Sequence, residues 1–208
     1  MKPRGILFDW GGVFTVGTFD GRVVRSVARR FGLDEETVAK AYFAEVRRLE
    51  VGEWSLPRFW EYFSSALGVE APYAEFEDLF VSSVAPREEM YRLLAAIPKE
   101  VTVGLLSNNY PVISDRLRAS QGFDRFDAVF YSNEEGVKKP DPRAFEIALE
   151  RMGLPAEEVL FVDDHPDNIA AAAKLGLLTH HFSETGPLVA DLARRGIVIE
   201  LDSGPAGS

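Results

Sequence analysis

The chain has 208 residues, of which 46% are hydrophobic and 27% are charged, a composition typical of a protein with a buried core. The formal net charge of −10 argues against a nucleic-acid or anionic-membrane binder, because both need a basic surface. The chain contains no cysteine, which excludes disulfide bonds, thiol catalysis and zinc–thiolate sites. Since no apolar run approaches membrane-spanning length, we expect a cytoplasmic protein.

Short apolar runs that end at polar residues or glycines predict buried parallel strands. The first covers residues 5–9, and later runs predict strands at 101–106, 128–131, 159–162, 177–182 and 197–201. Between these runs lie helical patterns, at 111–117, from 141 onward and at 166–176. Strands that alternate with helices predict an α/β fold, with a Rossmann-like parallel sheet flanked by helices.

The stretch from about residue 20 to residue 86 has helical patterns with no strand between them. One apolar helical stripe begins at Val23, and Asp34 and Ser55 are predicted to cap the next two helices. A fourth helix is predicted at 74–84. We therefore predict a small helical cap domain, residues 18–86, inserted into a core domain of residues 1–17 and 87–202. Residues 203–208 are predicted to be a flexible tail.

Four polar segments lie at the ends of predicted strands or the starts of predicted helices. They begin at Asp9, Ser107, Lys138 and Asp163. Ligands of open parallel sheets bind beyond the carboxyl ends of the strands, so these segments should converge. Together they supply carboxylates, a hydroxyl, glycines and lysines, which can hold a hard divalent cation and a phosphate group.

These segments resemble, in order and spacing, the four motifs of the haloacid dehalogenase superfamily. The matching residues are Asp9 in the first motif, Ser107 and Asn108 in the second, Lys139 in the third, and Asp163 with Asp164 in the fourth. The resemblance covers essentially the whole chain, including the helical insertion after the first strand. It implies a capped Rossmann-like hydrolase.

The resemblance also implies a chemical role for individual residues. Asp9 would be the nucleophile that attacks a small phosphomonoester, a sugar phosphate or similar metabolite, and forms an aspartyl-phosphate. Lys139 would assist catalysis and bind phosphate, together with the Ser107 hydroxyl and the backbone N–H groups of Asn108, Trp10 and Gly11. Magnesium would be held by Asp9, the Gly11 carbonyl and Asp164, and by Asp163 through water. Neighbouring Lys138 would be a solvated residue without a role.

The chain departs from most phosphatases of this superfamily at Gly11, where they carry a second aspartate that protonates the leaving group. Losing a positioned general acid costs roughly 100- to 10,000-fold in rate for a poor leaving group. A water, a substrate hydroxyl or a cap residue would then have to supply the proton. Two alternatives stay open: a metal-independent 2-haloacid dehalogenase, and a catalytically impaired binding or regulatory protein.

The predicted cap should close over the core and exclude water during chemistry. Its hinges are expected near residues 15–20 and 84–87. In the cap, Trp54 follows Gly52 and Glu53 in a turn that resembles the cap loop facing the active site in related proteins. A core position for the Trp54 side chain and a substrate-facing one both fit this pattern.

Overall fold

The computed structural model describes residues 2–120 and 122–199. Within these residues five parallel strands form one sheet, in the order β3-β2-β1-β4-β5. The strands are β1 (Gly5–Phe8), β2 (Thr102–Ser107), β3 (Ala128–Tyr131), β4 (Val159–Asp163) and β5 (Leu178–His181). Gly5 of the central strand pairs with Thr102 on one side and with Val159 on the other. The predicted α/β class with a parallel sheet is therefore confirmed.

Ten α-helices surround the sheet in the described part of the chain. They are α1 (Phe19–Phe31), α2 (Glu35–Glu50), α3 (Leu56–Leu67), α4 (Tyr73–Ser82), α5 (Glu88–Ala96), α6 (Pro111–Arg118), α7 (Ser132–Glu135), α8 (Pro142–Met152), α9 (Pro166–Lys174) and α10 (Thr185–Arg194). The predicted caps are present: the Asp34 carboxylate accepts a hydrogen bond from the Thr37 N–H at 2.9 Å, and the Ser55 hydroxyl accepts one from the Arg58 N–H at 3.4 Å.

The predicted sixth strand, at 197–201, is wrong for residues 197–199, which pair with no strand. Ile197 follows the end of α10, and its N–H donates to the Leu192 carbonyl at 2.9 Å. Its side chain is buried, which explains the apolar pattern, but its backbone donor already closes the helix end. The remaining two residues of this prediction, and the predicted tail at 203–208, lie outside the described residues.

Helices α1–α4, here called the cap helices, follow β1 and pack around a cluster of aromatic side chains. The Trp60 and Phe76 rings are stacked with centroids 4.5 Å apart, and the Phe63 ring meets both edge-on. All three side chains are buried, and each such burial contributes about 1.5–3 kcal/mol. The cap helices thus have an apolar centre of their own.

The two chain segments that join the cap helices to the sheet lie side by side. The Val16 N–H donates to the Ala85 carbonyl at 2.9 Å, and the Arg87 N–H donates to the Phe14 carbonyl at 2.8 Å. The Arg87 guanidinium also donates to the Val13 carbonyl at 3.1 Å. The Val16–Ala85 contact joins the two segments in which the sequence predicts hinges, and the Arg87 contacts lie directly beside it.

The sheet separates two apolar layers. Along β1 the side chain of Leu7 joins the layer formed with α8 and α9, while Ile6 and Phe8 face the layer that continues into the cap helices. Both faces of the sheet are therefore covered, as parallel sheets require. No helix in the described ranges combines the length and the apolar character needed to cross a bilayer.

Candidate active site

Three predicted site residues lie at the carboxyl ends of neighbouring strands. Asp9 directly follows β1, Ser107 is the last residue of β2, and Asp163 is the last residue of β4. Because β1 lies between β2 and β4 in the sheet, their carboxyl ends meet at one edge. Lys139 reaches the same place from the loop between α7 and α8. The structure therefore brings together residues from all four predicted motifs.

Lys139 joins two of the carboxylates. Its ammonium group donates to Asp9 Oδ1 at 2.6 Å and to Asp163 Oδ2 at 2.6 Å. The other oxygen of Asp163 accepts from the His165 N–H at 2.7 Å and from Asn168 Nδ2 at 3.1 Å. Lys139 and Asp163 are both buried, so the two charges are held in place by hydrogen bonds rather than by solvent.

Asp9, Asp163 and Asp164 form a cluster in which each offers a carboxylate oxygen, all within 4.8 Å of one another. Asp164 lies against Gly12, where an added Cβ would be 2.0 Å from Asp164 Oδ2. Gly12 also has a φ of +77°, so glycine is required there for two reasons. The three carboxylates offer the oxygen ligands that a hard cation such as Mg²⁺ takes.

The electrostatics of the cluster show an excess of negative charge. Burial raises the pKa of Asp9 to about 7; Lys139 opposes that shift, whereas Asp163 and Asp164 add to it. Burial also raises the pKa of Asp164, and the Asp163 charge adds to the effect. Although burial works against it, the two carboxylates raise the pKa of Lys139. One lysine shared by several carboxylates stays charged but cannot neutralise all of them.

The side chain of Asn108 positions the lysine loop. Its Oδ1 accepts from the Lys139 N–H at 2.9 Å, and its Nδ2 donates to the Lys139 carbonyl at 3.1 Å. Only the backbone N–H of Asn108 was expected to have a role, so the sequence analysis missed this clamp. Ser107 is fully buried, and its hydroxyl makes one long contact, 3.4 Å, to the Asn108 carbonyl.

Trp10 and Gly11 lie on the wall of the site, and the Trp10 side chain is buried. Its indole N–H donates to the Tyr91 hydroxyl at 3.2 Å, so its side chain belongs to the core layer. At Gly11 an added Cβ would meet nothing closer than Asp9 Oδ2, at 3.9 Å. The missing aspartate at this position is therefore not explained by lack of space.

A cavity of about 190 Å³ opens above the carboxylates. It is lined by Asp9, Trp10, Gly11, Thr18, Phe19, Asp20, Glu50, Asn108, Asn109, Tyr110, Lys139, Asp164, His165 and Asn168. Its volume is smaller than the roughly 300–1,000 Å³ of drug-sized ligand pockets, which favours a small ligand. A second cavity, of about 580 Å³, lies beside α5 and the segment around Gly122, and no motif residue lines it.

The cap contributes acidic residues to the cavity that the sequence analysis did not identify, Asp20 and Glu50. Glu50 forms an ion pair with Lys138, so the prediction of a solvated Lys138 without a role is corrected. Trp54 does not line the cavity. Its ring packs against Tyr62, with centroids 5.8 Å apart, which matches the alternative of a core position for that side chain.

A family model of the haloacid dehalogenase-like hydrolases matches residues 3–176. This chain belongs to that family. Among its curated relatives, a phosphatase of Mycobacterium tuberculosis, MT3486, is 28% identical over 96% of this chain and 98% of its own length. Mouse acyl-CoA dehydrogenase family member 10 is 27% identical over 85% of this chain, but the match spans 17% of the mouse protein.

Solved structures of the family share this fold. A haloacid dehalogenase family enzyme from Bacteroides thetaiotaomicron, crystallised with magnesium, has a TM-score of 0.75 and 20% identity over 90% of this chain and 98% of its own. The L-2-haloacid dehalogenase of Xanthobacter autotrophicus has a TM-score of 0.65 at 21% identity, over 94% of this chain and 84% of its own. At these identities the likeness concerns the fold.

Proposed function

We propose that this protein is a magnesium-dependent hydrolase of small phosphomonoesters in which Asp9 attacks phosphorus. The observation that carries the proposal is the group formed by Asp9, Lys139, Asp163 and Asp164 at the carboxyl ends of β1 and β4, open to a small cavity. The full-length likeness to the mycobacterial phosphatase supports phosphoryl transfer over other chemistry on this fold.

In the first step an Asp9 oxygen forms a bond to phosphorus, and the bond from phosphorus to the leaving oxygen breaks. The leaving oxygen keeps the bonding electron pair and takes a proton from water, from a hydroxyl of the substrate or from a cap residue, because Gly11 supplies no acid. In the second step water attacks the phosphorus of the aspartyl-phosphate, which releases inorganic phosphate and restores the carboxylate. Lys139 offsets the charge that builds up on the phosphoryl oxygens. The Ser107 hydroxyl and the backbone N–H groups of Trp10, Gly11 and Asn108 would bind those oxygens.

Asp9, Asp164 and the Gly11 carbonyl would hold the magnesium ion, and Asp163 would contribute through water. When bound, the ion offsets the repulsion between the Asp9 carboxylate and the phosphate dianion. Asp163 already bonds Lys139, the His165 N–H and Asn168, which supports an indirect role for it. Residues 18–86 would act as the cap domain that excludes water from this site, over a core of residues 1–17 and 87–202.

A haloalkanoic acid dehalogenase would attack carbon without a metal and would not need the Asp163–Asp164 pair. The test measures hydrolysis of p-nitrophenyl phosphate and chloride release from 2-chloropropionate, each with magnesium and with excess chelator. We expect phosphate release that depends on magnesium and no chloride release. Chloride release that survives the chelator would instead identify a dehalogenase. Failure to turn over any substrate would favour a binding or regulatory protein.

A further inference from the structure

Asp20 is a cap carboxylate with one oxygen fixed and the other free. It lies in the first turn of α1 and lines the same cavity as Asp9. Asp20 Oδ1 accepts from the Tyr42 hydroxyl at 2.7 Å and from the Tyr110 hydroxyl at 2.5 Å. Among the residues that the structure describes, none donates a hydrogen bond to Oδ2. The two tyrosines thus fix the carboxylate and leave one acceptor unused.

The hydroxyl groups of Tyr42 and Tyr110 keep their protons and so remain hydrogen-bond donors to Asp20. Both side chains are buried, and burial, with the Asp20 charge next, raises the pKa of each phenol well above its ordinary value. They therefore stay protonated. Tyr42 belongs to the cap helices and Tyr110 precedes α6 of the core, so Asp20 is held from both sides of the cavity.

The charges of the cavity wall are distributed unevenly. Lys139 is the one lysine or arginine among the lining residues named above, and it is engaged by Asp9 and Asp163. The other acidic residue on the cap side, Glu50, has Lys138 as its partner. In the described part of the chain Asp20 forms no ion pair, and its hydrogen-bond partners are neutral phenols. Burial raises the pKa of Asp20, while the two phenol hydrogen bonds and the nearby Lys138 charge oppose that shift. The phosphate end of the cavity therefore carries the lysine, and the opposite end carries a carboxylate that has no ion-pair partner in the described structure.

Asn109 belongs to the same wall of the cavity. Its Oδ1 accepts the Tyr110 N–H at 2.8 Å, which fixes the amide orientation. Its Nδ2 is buried and has no hydrogen-bond partner in the described structure. Leaving a buried amide donor unpaired costs stability. A hydroxyl group of a ligand can donate a hydrogen bond, and so has the chemistry to bond the free Asp20 oxygen.

We infer that Asp20 is a specificity-determining residue that accepts a hydrogen bond from a hydroxyl of the leaving group. The enzyme would then select small phosphomonoesters with uncharged, hydroxylated leaving groups, and would reject those that carry a carboxylate or a second phosphate. This inference rests on the proposed function. A leaving group without a hydroxyl would leave the free Asp20 oxygen without a hydrogen bond. Its phosphate ester would therefore have a lower kcat/KM.

The test compares kcat/KM for glycerol 3-phosphate and for 3-phosphoglycerate, which differ by a hydroxymethyl group against a carboxylate. Asp20→Asn keeps an oxygen for the two tyrosines but turns the free acceptor into an N–H donor. We expect kcat/KM for glycerol 3-phosphate, divided by kcat/KM for 3-phosphoglycerate, to fall roughly 10- to 100-fold. This is the effect of losing a hydrogen bond to a charged group. The matched control, Asp78→Asn on the exposed surface of α4, should leave the ratio unchanged.

A second variant, Tyr42→Phe, removes one of the two donors that orient Asp20 and leaves its carboxylate in place. It should lower the same ratio by a smaller factor, about 2- to 10-fold. An unchanged ratio in both variants, with hydrolysis of p-nitrophenyl phosphate intact in the wild type, would overturn the role of Asp20 and leave the proposed function standing. A wild-type protein that hydrolyses no phosphomonoester would overturn both.

Discussion

Two groups of charges, each formed around a buried carboxylate, are built in opposite ways in this protein. At the far edge of the sheet, one carboxylate, Asp191, is surrounded by donors: Arg195 Nε at 3.0 Å, Arg194 at 3.1 Å and His180 Nδ1 at 3.1 Å. At the carboxyl ends of β1 and β4, three carboxylates lie beside one lysine, which bonds two of them, Asp9 and Asp163. Around Asp191 the two arginines outnumber the carboxylate. At β1 and β4 the carboxylates outnumber the lysine.

The pKa values follow this difference. Burial works to raise the pKa of Asp191, but hydrogen bonds from Arg195 and His180 lower it below its ordinary value. Burial raises the pKa of Asp9 to about 7, because Lys139 cannot offset burial and two neighbouring carboxylates. A carboxylate whose charge is balanced by arginines stabilises the fold by itself. A group of carboxylates with too few cationic partners, lying beside a cavity, is suited to bind a cation. The following predictions test that contrast.

The largest effect is expected for Asp9→Asn, which keeps the shape of the side chain and removes the nucleophile. Phosphatase activity should fall by about 1,000-fold or more, because the covalent route is lost. The unfolding temperature should stay near that of the wild type. Asp167→Asn, which alters an exposed aspartate near the same site, is the matched control. A variant that keeps more than a tenth of the wild-type rate would show that another group attacks.

Lys139→Met should be the most destabilising change in the site. It removes the one cation that two buried carboxylates share, and breaking a buried ion pair costs about 3–5 kcal/mol. Magnesium should recover part of this loss, since binding to the folded state stabilises it by about 2.7 kcal/mol at 100 times the Kd. Urea unfolding with and without magnesium measures both effects. A variant as stable as the wild type without magnesium would contradict the charge argument.

Gly11→Asp should change the leaving-group preference. Gly11 does not adopt a left-handed conformation, and an added Cβ has room beside Asp9. A carboxyl group there could protonate an alkoxide leaving group, so turnover of alkyl phosphates relative to aryl phosphates should rise roughly 10-fold or more. The measurement is kcat for an alkyl phosphate divided by kcat for an aryl phosphate, both at saturating magnesium. A ratio that stays constant would show that the leaving group already receives a proton.

The smallest effect concerns Asp191→Asn. A carboxylate whose pKa is lowered in the folded state adds stability above its ordinary value of 3.8, and that stability is lost as the pH falls through the folded-state pKa. The variant should be about 1–3 kcal/mol less stable at pH 7, and the difference should narrow below pH 4. Phosphatase activity should not change. If the variant loses the same free energy of unfolding at pH 7 and below pH 4, ionisation of Asp191 is not the cause of the loss.

The contrast also shows what sequence can and cannot predict. Strands β1 to β4 are readable because each is a mainly apolar run, and β5 because buried Leu177 and Phe182 flank it. Ile197 has a similar apolar pattern for a different reason, closure of a helix end. The motif residues at the strand ends are predictable because parallel strands end at one edge. Asp20, Tyr42 and Tyr110 are far apart in the chain and meet only when the cap helices pack over the sheet. No local pattern predicts such a contact.

The central claim is that Asp9 itself attacks phosphorus. Rapid mixing with a phosphomonoester and magnesium, followed by acid quench and peptide mass spectrometry, tests it directly. The account predicts a transient phosphoryl group on the peptide that contains Asp9, formed at the rate of leaving-group release and missing in Asp9→Asn. A phosphoryl group on another residue, such as Ser107, or turnover by Asp9→Asn at the wild-type rate, would contradict it.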